Sequence, residues 1–326
     1  MSDIVLDLFS GCGGFSLGCE WAGLDVVAGV EFHEKIVDVY NENFSHRALQ
    51  YDLAKTDPEE FEEAEHISDV DMIVGGPPCQ GFSVANMNRD VDDERNNLVF
   101  RFAEYISHYE PDVFVMENVT GILSIDDGAL FGRLLRELGK YGYSVDYETL
   151  CAVDYGVPQK RDRVFVVGVR DDVGRGPVFP SPSHGPEDRL DFLHPNIDDY
   201  CTVEDAISDL PSPTPSVLNH EAPNQEESTT ERIRSTEQGE SLYDSWGEKI
   251  RLDPSKPAPT LKGGESSSFH FAHPYEDRKL TVRERGRLQG FPDWFDFGDG
   301  LSIARRVTGN AVPPQLAKSV VEANVK

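Results

Sequence analysis

The stretch Asp71–Ser83, DMIVGGPPCQGFS, constrains this chain more than any other. Met72 to Val74 is a short apolar run, closed by Gly75-Gly76, two prolines and then Cys79. A run of that kind bounded by turn residues predicts a buried strand of a parallel sheet. Proline fixes φ and cannot donate to a sheet ladder, so a rigid loop has to follow. Cys79 is thereby placed at the carboxyl end of a strand, where open α/β sheets bind their ligands. A free cysteine is more often a core residue, but Pro-Pro-Cys-Gln-Gly fills a core badly. We read Cys79 as displayed.

The flanking sequence repeats the pattern. Ile4 to Phe9 is an apolar strand, followed by the glycine-rich SGCGGFSLG (Ser10 to Gly18) and an amphipathic helix through Trp21. The dinucleotide fingerprint is not met, because Ser16 stands where its third glycine belongs, so pyrophosphate binding is not supported. The glycines still let the backbone approach an adenosine-like ligand closely. Val26 to Val30 forms a second strand ending at Glu31, where an acid can hydrogen-bond ribose hydroxyls. The alternative for Glu31 is a solvated strand-end acid. Asp52, before an acidic helix start at Pro58, is a weaker candidate for an adenine amino group. Asp112 to Met116 is a further buried strand, ending in Glu117-Asn118-Val119. Val157 to Arg170 is a basic turn feeding the strand Val164–Val169. Strand and helix alternate up to Arg170, which predicts an α/β fold with a doubly wound sheet.

From Gly174 the texture changes to Gly, Pro and Ser, and no sustained period runs until about Lys262. This reads as a smaller, loop-rich module. Regularity returns in a helix over Leu280–Gln289, whose Gly286 costs ~1 kcal/mol relative to Ala, and in a final helix from Pro314.

The net charge of −29 argues by itself against a nucleic-acid partner. The bases are concentrated, however: Lys160, Arg161, Arg163 and Arg170 lie together, as do Arg278, Lys279, Arg283, Arg285 and Arg287. We read the acidity as adaptation to a salt-rich interior, where screening shortens to ~3 Å at 1 M. The five cysteines show no paired spacing, which argues against a zinc site or a disulfide framework. No metal is expected. There is no basic-then-apolar leader, and no apolar run approaches the roughly 18–20 residues of a membrane span. The expectation is a soluble, cytoplasmic protein.

Taken in order, DLFSGCGGFSLG (7–18), Glu31, Asp52, GGPPCQGFS (75–83), ENV (117–119), QKRDR (159–163), RKLTVRERGRLQGFP (278–292) and GNAVPPQLA (309–317) resemble the DNA (cytosine-5)-methyltransferase family. The chain is identified as a member, with an unmatched gap at about 171–255. Gly286 departs from the family's usual alanine.

The resemblance implies a Rossmann-like methyltransferase domain over 1–176 plus 303–326 and a target-recognition domain over 177–302. It implies transfer of a methyl group from S-adenosylmethionine to carbon 5 of a cytosine flipped out of duplex DNA. Cys79 would add to carbon 6, Glu117 would meet ring nitrogen 3, Arg163 would contact the base carbonyl, and Arg161 would support the site. Cofactor contacts carried over by position are Phe9, Gly11, Gly13, Phe15 on adenine, Glu31, Phe32, Asp52, Leu53, Pro78, Leu98 and Asn310. Ser83, Arg89, Gln159 and Arg283 would contact DNA. Partners implied are double-stranded DNA and, where the enzyme serves restriction–modification, a cognate restriction endonuclease. A monomer is expected. The rival readings are an RNA (tRNA) cytosine-5 methyltransferase, whose Cys-Phe-Thr signature is missing, and a non-catalytic DNA-binding relative, which intact Cys79, Glu117 and Arg163 oppose.

Overall fold

The computed structural model describes residues 3–78, 98–186, 197–243, 249–263 and 271–325. Cys79, Ser83 and Arg89 lie outside them. The chain forms two compact units. The first holds residues 1–150, 162–181 and 316–326, and the second holds 151–161 and 182–315. These limits differ from 176/177 and 302/303, the divisions that the resemblance implies. Residues 151–161 go with the second unit, and only the last helix returns to the first.

The first unit is built from β1 (Ile4–Leu8), α1 (Gly14–Trp21), β2 (Asp25–Glu31), α2 (Glu34–Asn43), β3 (Ala48–Gln50), α3 (Pro58–Glu65), β4 (Met72–Gly75), α4 (Leu98–Tyr109), β5 (Val113–Val119), α5 (Ala129–Lys140), β6 (Tyr143–Cys151) and β7 (Asp162–Arg170). Among the described residues these seven strands make one sheet, ordered β3-β2-β1-β4-β5-β7-β6. β1, β2, β3, β4 and β5 pair in parallel, whereas β7 lies antiparallel to β5. The strand order reverses direction between β1 and β4. In open α/β sheets that switch point opens a crevice at the carboxyl ends.

The apolar runs predicted as strands are the sheet's centre. Leu6, Leu8, Ile73, Phe114, Met116, Val164 and Val166 are buried with Phe102, Tyr105 and Ile106 of α4 and Leu134 and Leu138 of α5. α5 shows why amphipathic spacing suffices for a helix here: its buried residues are Phe131, Leu134 and Leu138, one face at intervals of three and four. Gly75 is obligatory. A Cβ there would stand 2.3 Å from the Leu8 carbonyl oxygen, so only glycine lets β4 close against β1 at the crevice.

The second unit has little regular structure. It contains β8 (His184–Gly185), β9 (Asp198–Asp199), α6 (Val203–Ile207), α7 (Glu227–Arg234), β10 (Ile250–Arg251), β11 (Phe271–Ala272), α8 (Val282–Leu288) and α9 (Leu301–Asn310). The predicted helix over 280–289 is α8, shortened because Thr281 and Glu284 close a reciprocal capping box at its start. α9 has no counterpart in the sequence reading. Gly286 is no weakness: a Cβ there would meet the Phe297 ring at 2.5 Å, so the missing methyl is what seats Phe297 against Phe291 and Phe295. The final helix, α10 (Pro314–Glu322), begins at the expected proline.

Among the described residues, no helix is long and apolar enough to cross a membrane, and no group of His, Cys, Asp and Glu could hold a metal ion.

Candidate functional site

The carboxyl ends of β1, β2, β4 and β5 carry Phe9, Glu31, the Pro78 loop and Glu117, while Arg163 comes from the start of β7. β4 runs into Gly76-Pro77-Pro78, directly before Cys79. Two side chains from the end of β5 reach this loop. Asn118 Nδ2 donates to the Pro77 carbonyl at 2.9 Å, while its Oδ1 accepts from the Val119 amide. The Glu117 carboxylate lies over Gly76, where a Cβ would come within 3.3 Å of Oε2. In the β5–β7 register Val119 faces Arg163 and Glu117 faces Phe165, so Glu117 and Arg163 are diagonal neighbours on one face. Their side chains meet, with Arg163 Nε 2.8 Å from Glu117 Oε1, and both are about nine-tenths buried. Arg163 Nη1 also donates to the Asp162 carbonyl. A carboxylate and a guanidinium, mutually compensated and shielded from water, therefore stand where β4 delivers the loop.

The β1 side is a tight left-handed turn. Phe9, Gly11 and Gly13 all have positive φ, at 58°, 56° and 92°. Ser10 Oγ and His33 Nδ1 are buried there without a hydrogen-bond partner among the described residues. Such orphans are rare and call for a partner. Glu31, 8 % exposed at the end of β2, accepts from the His33 amide at 2.9 Å. These groups fit a polar nucleoside-type ligand held by acceptors and by backbone. Phe32 is largely exposed beside them, while Phe15 is buried edge-on to Phe165. Leu53 is a core residue, and Asp52 pairs with Lys55 at 2.7 Å. Pro78 and Leu98 are half-buried, and Asn310 ends α9 in the second unit, with its Oδ1 against Gly263.

Three residues expected at the base or the DNA stand inside the second unit instead. Gln159 is fully buried. Its amide donates to the Leu288 carbonyl and to Gln289 Oε1, and accepts from the Leu261 amide. Arg161, 1 % exposed, donates to the carbonyls of Leu261, Gly309 and Ala311 at 2.9, 2.9 and 3.1 Å. Arg283 is fully buried and donates to the carbonyls of Leu218, Pro292 and Phe295. The expected DNA contacts Gln159 and Arg283 are thus interior side chains here: both amide hydrogens of Gln159 and three of the five N–H groups of Arg283 sit on oxygens of the second unit. Arg161 likewise holds backbone of the second unit.

Three of the four described thiols are poorly suited to attack. Burial pushes Cys12 up to about 12, and Cys19 and Cys201 are also raised, again chiefly by burial. A thiolate is the nucleophilic form, so these three are inert near neutrality.

Over residues 4–326 the chain matches the family described as C-5 cytosine-specific DNA methylase. It is 36 % identical to the type II methyltransferase M1.HphI of Haemophilus parahaemolyticus, over 100 % of this chain and 87 % of that one. A solved structure described as a DNA modification methyltransferase encoded within a prophage (E. coli) superposes with a TM-score of 0.81 at 29 % identity, covering 99 % of this chain and 98 % of that one. The S. pombe Dnmt2 methyltransferase shares the fold, with a TM-score of 0.68 at 16 % identity over 98 % and 96 % of the two chains. The chain belongs to the C-5 cytosine-specific DNA methylase family. It is a DNA cytosine-5 methyltransferase, with S-adenosylmethionine as methyl donor.

Proposed function

We propose that this enzyme methylates a cytosine flipped out of duplex DNA, through a covalent bond between Cys79 and carbon 6. The observation that carries the reading is the Glu117–Arg163 pair, 2.8 Å apart and laid over Gly76, three residues before the cysteine. Carbon 5 of cytosine is a weak nucleophile. Thiolate addition at carbon 6 moves electron density onto carbon 5, splitting one hard step into easier ones. Glu117 meets ring nitrogen 3 and offsets the charge that develops there, and Arg163 holds the carboxylate and faces the base carbonyl. Bound S-adenosylmethionine supplies the electrophilic methyl group. A water molecule then takes the carbon 5 proton, its bonding pair re-forms the carbon 5–carbon 6 double bond, and Cys79 leaves as the thiolate. Asn118 fixes the loop that presents the thiol. A base in a duplex cannot be reached by such a group, which is why the target is extruded.

Phe9, Gly11, Gly13, Glu31 and Phe32 form the cofactor end, with Ser10 and His33 as polar partners absent from the sequence reading. Phe15 supports that turn from beneath. The loop-rich second unit reads the DNA, and residues 83–97 contribute the strand contacts of Ser83 and Arg89. The exclusion of Cys12, Cys19 and Cys201 as thiolates supports Cys79 as the nucleophile. The enzyme acts as a cytoplasmic monomer, and the naming of its relatives as type II methyltransferases supports a restriction endonuclease as functional partner.

The experiment is incubation with labelled S-adenosylmethionine and duplex DNA across salt concentrations up to molar, followed by bisulfite sequencing. Carbon 5 methylation at one sequence context is expected. No methylation at any salt would sink the reading.

A further inference from the structure

A chain of hydrogen bonds runs from the buried end of β1 outward. Asp7 Oδ2 accepts from Ser16 Oγ at 2.6 Å and from the Ser16 amide at 3.1 Å. Ser16 Oγ is 2.7 Å from Tyr40 Oη, Tyr40 Oη is 3.2 Å from His46 Nδ1, and His46 Nε2 is 3.1 Å from Glu20 Oε1. Asp7, Ser16 and Tyr40 are fully buried, whereas Glu20 is exposed. Asp7 Oδ1 is buried with no partner among the described residues.

Counting donors restricts this chain. A hydroxyl carries one proton, and neutral imidazole carries one N–H. If Asp7 is ionised, Ser16 donates to it, Tyr40 donates to Ser16, and His46 Nδ1 must donate to Tyr40. Nε2 faces the Glu20 carboxylate and also needs a proton, so His46 is then an imidazolium. If Asp7 is protonated, every arrow reverses: Asp7 donates to Ser16, Ser16 to Tyr40, and Tyr40 to His46 Nδ1, leaving Nε2–H for Glu20. The two fully bonded arrangements contain the same protons. They differ only in whether His46 or Asp7 carries the last one.

We propose that Asp7 and His46 share a single proton through Ser16 and Tyr40, making Tyr40 and His46 positioning residues that set the charge beneath the glycine-rich turn. In the transfer the Nδ1–H bond of His46 breaks as a Tyr40 O–H bond forms. Tyr40's own proton passes to Ser16 Oγ, and Ser16's passes to Asp7 Oδ2. Both hydroxyls end neutral.

The surroundings bring the two ends into competition. Burial pushes the Asp7 carboxyl up to about 7, with Glu31 of β2 adding to the rise and the Ser16 hydrogen bonds opposing it. Burial pushes the His46 imidazole down, against Glu20 of α1 and Asp25 of β2. The other titratable groups facing Asp7 are Cys12, Cys19 and Tyr40, all raised by burial and therefore neutral. Ser16 lies in the first turn of α1, directly after the glycine-rich turn. On the cofactor reading above, a cationic sulfonium ligand at that turn favours the ionised Asp7.

The test is a double-mutant cycle on the full chain, with ¹⁵N-histidine NMR following the His46 titration. Asp7→Asn is expected to lower the His46 midpoint by about one pH unit when Tyr40 is present, and by less than about 0.3 in the Tyr40→Phe background. Equal shifts in both backgrounds, or none in either, would overturn the shared proton. If Asp7→Asn does not fold, wild type against Tyr40→Phe decides: coupled sites titrate in two steps, and a single step in both proteins overturns the proposal. The second readout is the dissociation constant of S-adenosylhomocysteine against pH. It is expected to inflect near neutrality in the wild type and to flatten in Tyr40→Phe. A flat wild-type profile overturns the positioning role. Failure to bind the probe at any pH overturns the cofactor reading instead, and the NMR cycle still decides the shared proton.

Discussion

Arg161 and Arg163 are two residues apart in one basic turn, yet they belong to different units and do different work. Arg163 begins a strand of the sheet unit, and its guanidinium faces the Glu117 carboxylate. Arg161 belongs to the second unit, where it is buried against three backbone carbonyls. The contrast extends to the units themselves. In the sheet unit the ladders satisfy the backbone, and charged side chains are left over at strand ends for chemistry. Among the described residues, the second unit has only short helices and two-residue strands. Its buried carbonyls are answered by Arg161, Arg283, Arg285, Gln159 and Gln289. A buried polar group has to be bonded somewhere. Where ladders are missing, long side chains replace them.

Mutations at the two arginines and their partners should separate these roles. The largest effect is expected from Glu117→Gln, which keeps the shape but not the charge: kcat should fall by about 10²–10⁴, far more than the stability lost by leaving Arg163 uncompensated accounts for. Arg161→Met should do the reverse kind of damage, lowering unfolding free energy by about 3–5 kcal/mol by leaving carbonyls unanswered. Equilibrium unfolding in molar salt measures it. A stable Arg161→Met protein that had lost only activity would erase the distinction between the units. Arg283→Lys should cost about 2 kcal/mol, since an ammonium cannot fork to three carbonyls, and should leave the salt dependence of DNA binding as it is. A changed salt slope would return Arg283 to the DNA.

The smallest expected effect is a pH dependence. Asp7 is raised from its ordinary 3.8 to about 7 in the folded chain. The folded state therefore binds the extra proton between those values. Its contribution to stability is complete below about pH 4, fades as pH rises towards 7, and changes no further above that. Asp7→Asn should flatten this part of the unfolding profile, and an unchanged profile would show that Asp7 ionises normally.

What the sequence revealed follows from the same contrast. Glu31 and Glu117 were legible because strands announce themselves by apolar runs, and in a parallel sheet the residue after the run faces the crevice. Gly75 was legible as punctuation, though its purpose, clearance from the Leu8 carbonyl, was not. The partners of Arg161, Gln159 and Arg283 were not legible because they lie as far as 150, 130 and 65 residues away. No local pattern separates a buried guanidinium from one aimed at a phosphate. Gly286 looked like a loosened helix because Phe297, which fills the space, is remote from its turn. The Asp7–His46 chain went unnoticed for a similar reason: Ser16 lies on α1, Tyr40 on α2 and His46 in the loop before β3, with no motif joining them.

The most direct measurement on the reaction is trapping on duplex DNA in which the target cytosine is 5-fluorocytosine, with S-adenosylmethionine present at molar salt. Fluorine cannot leave carbon 5 as a proton does, so the covalent species should accumulate. We expect a denaturation-resistant protein–DNA adduct whose modified peptide contains Cys79, and no adduct from Cys79→Ser. An adduct that survives Cys79→Ser, or that maps to Cys12, Cys19, Cys151 or Cys201, would contradict the assignment of the nucleophile.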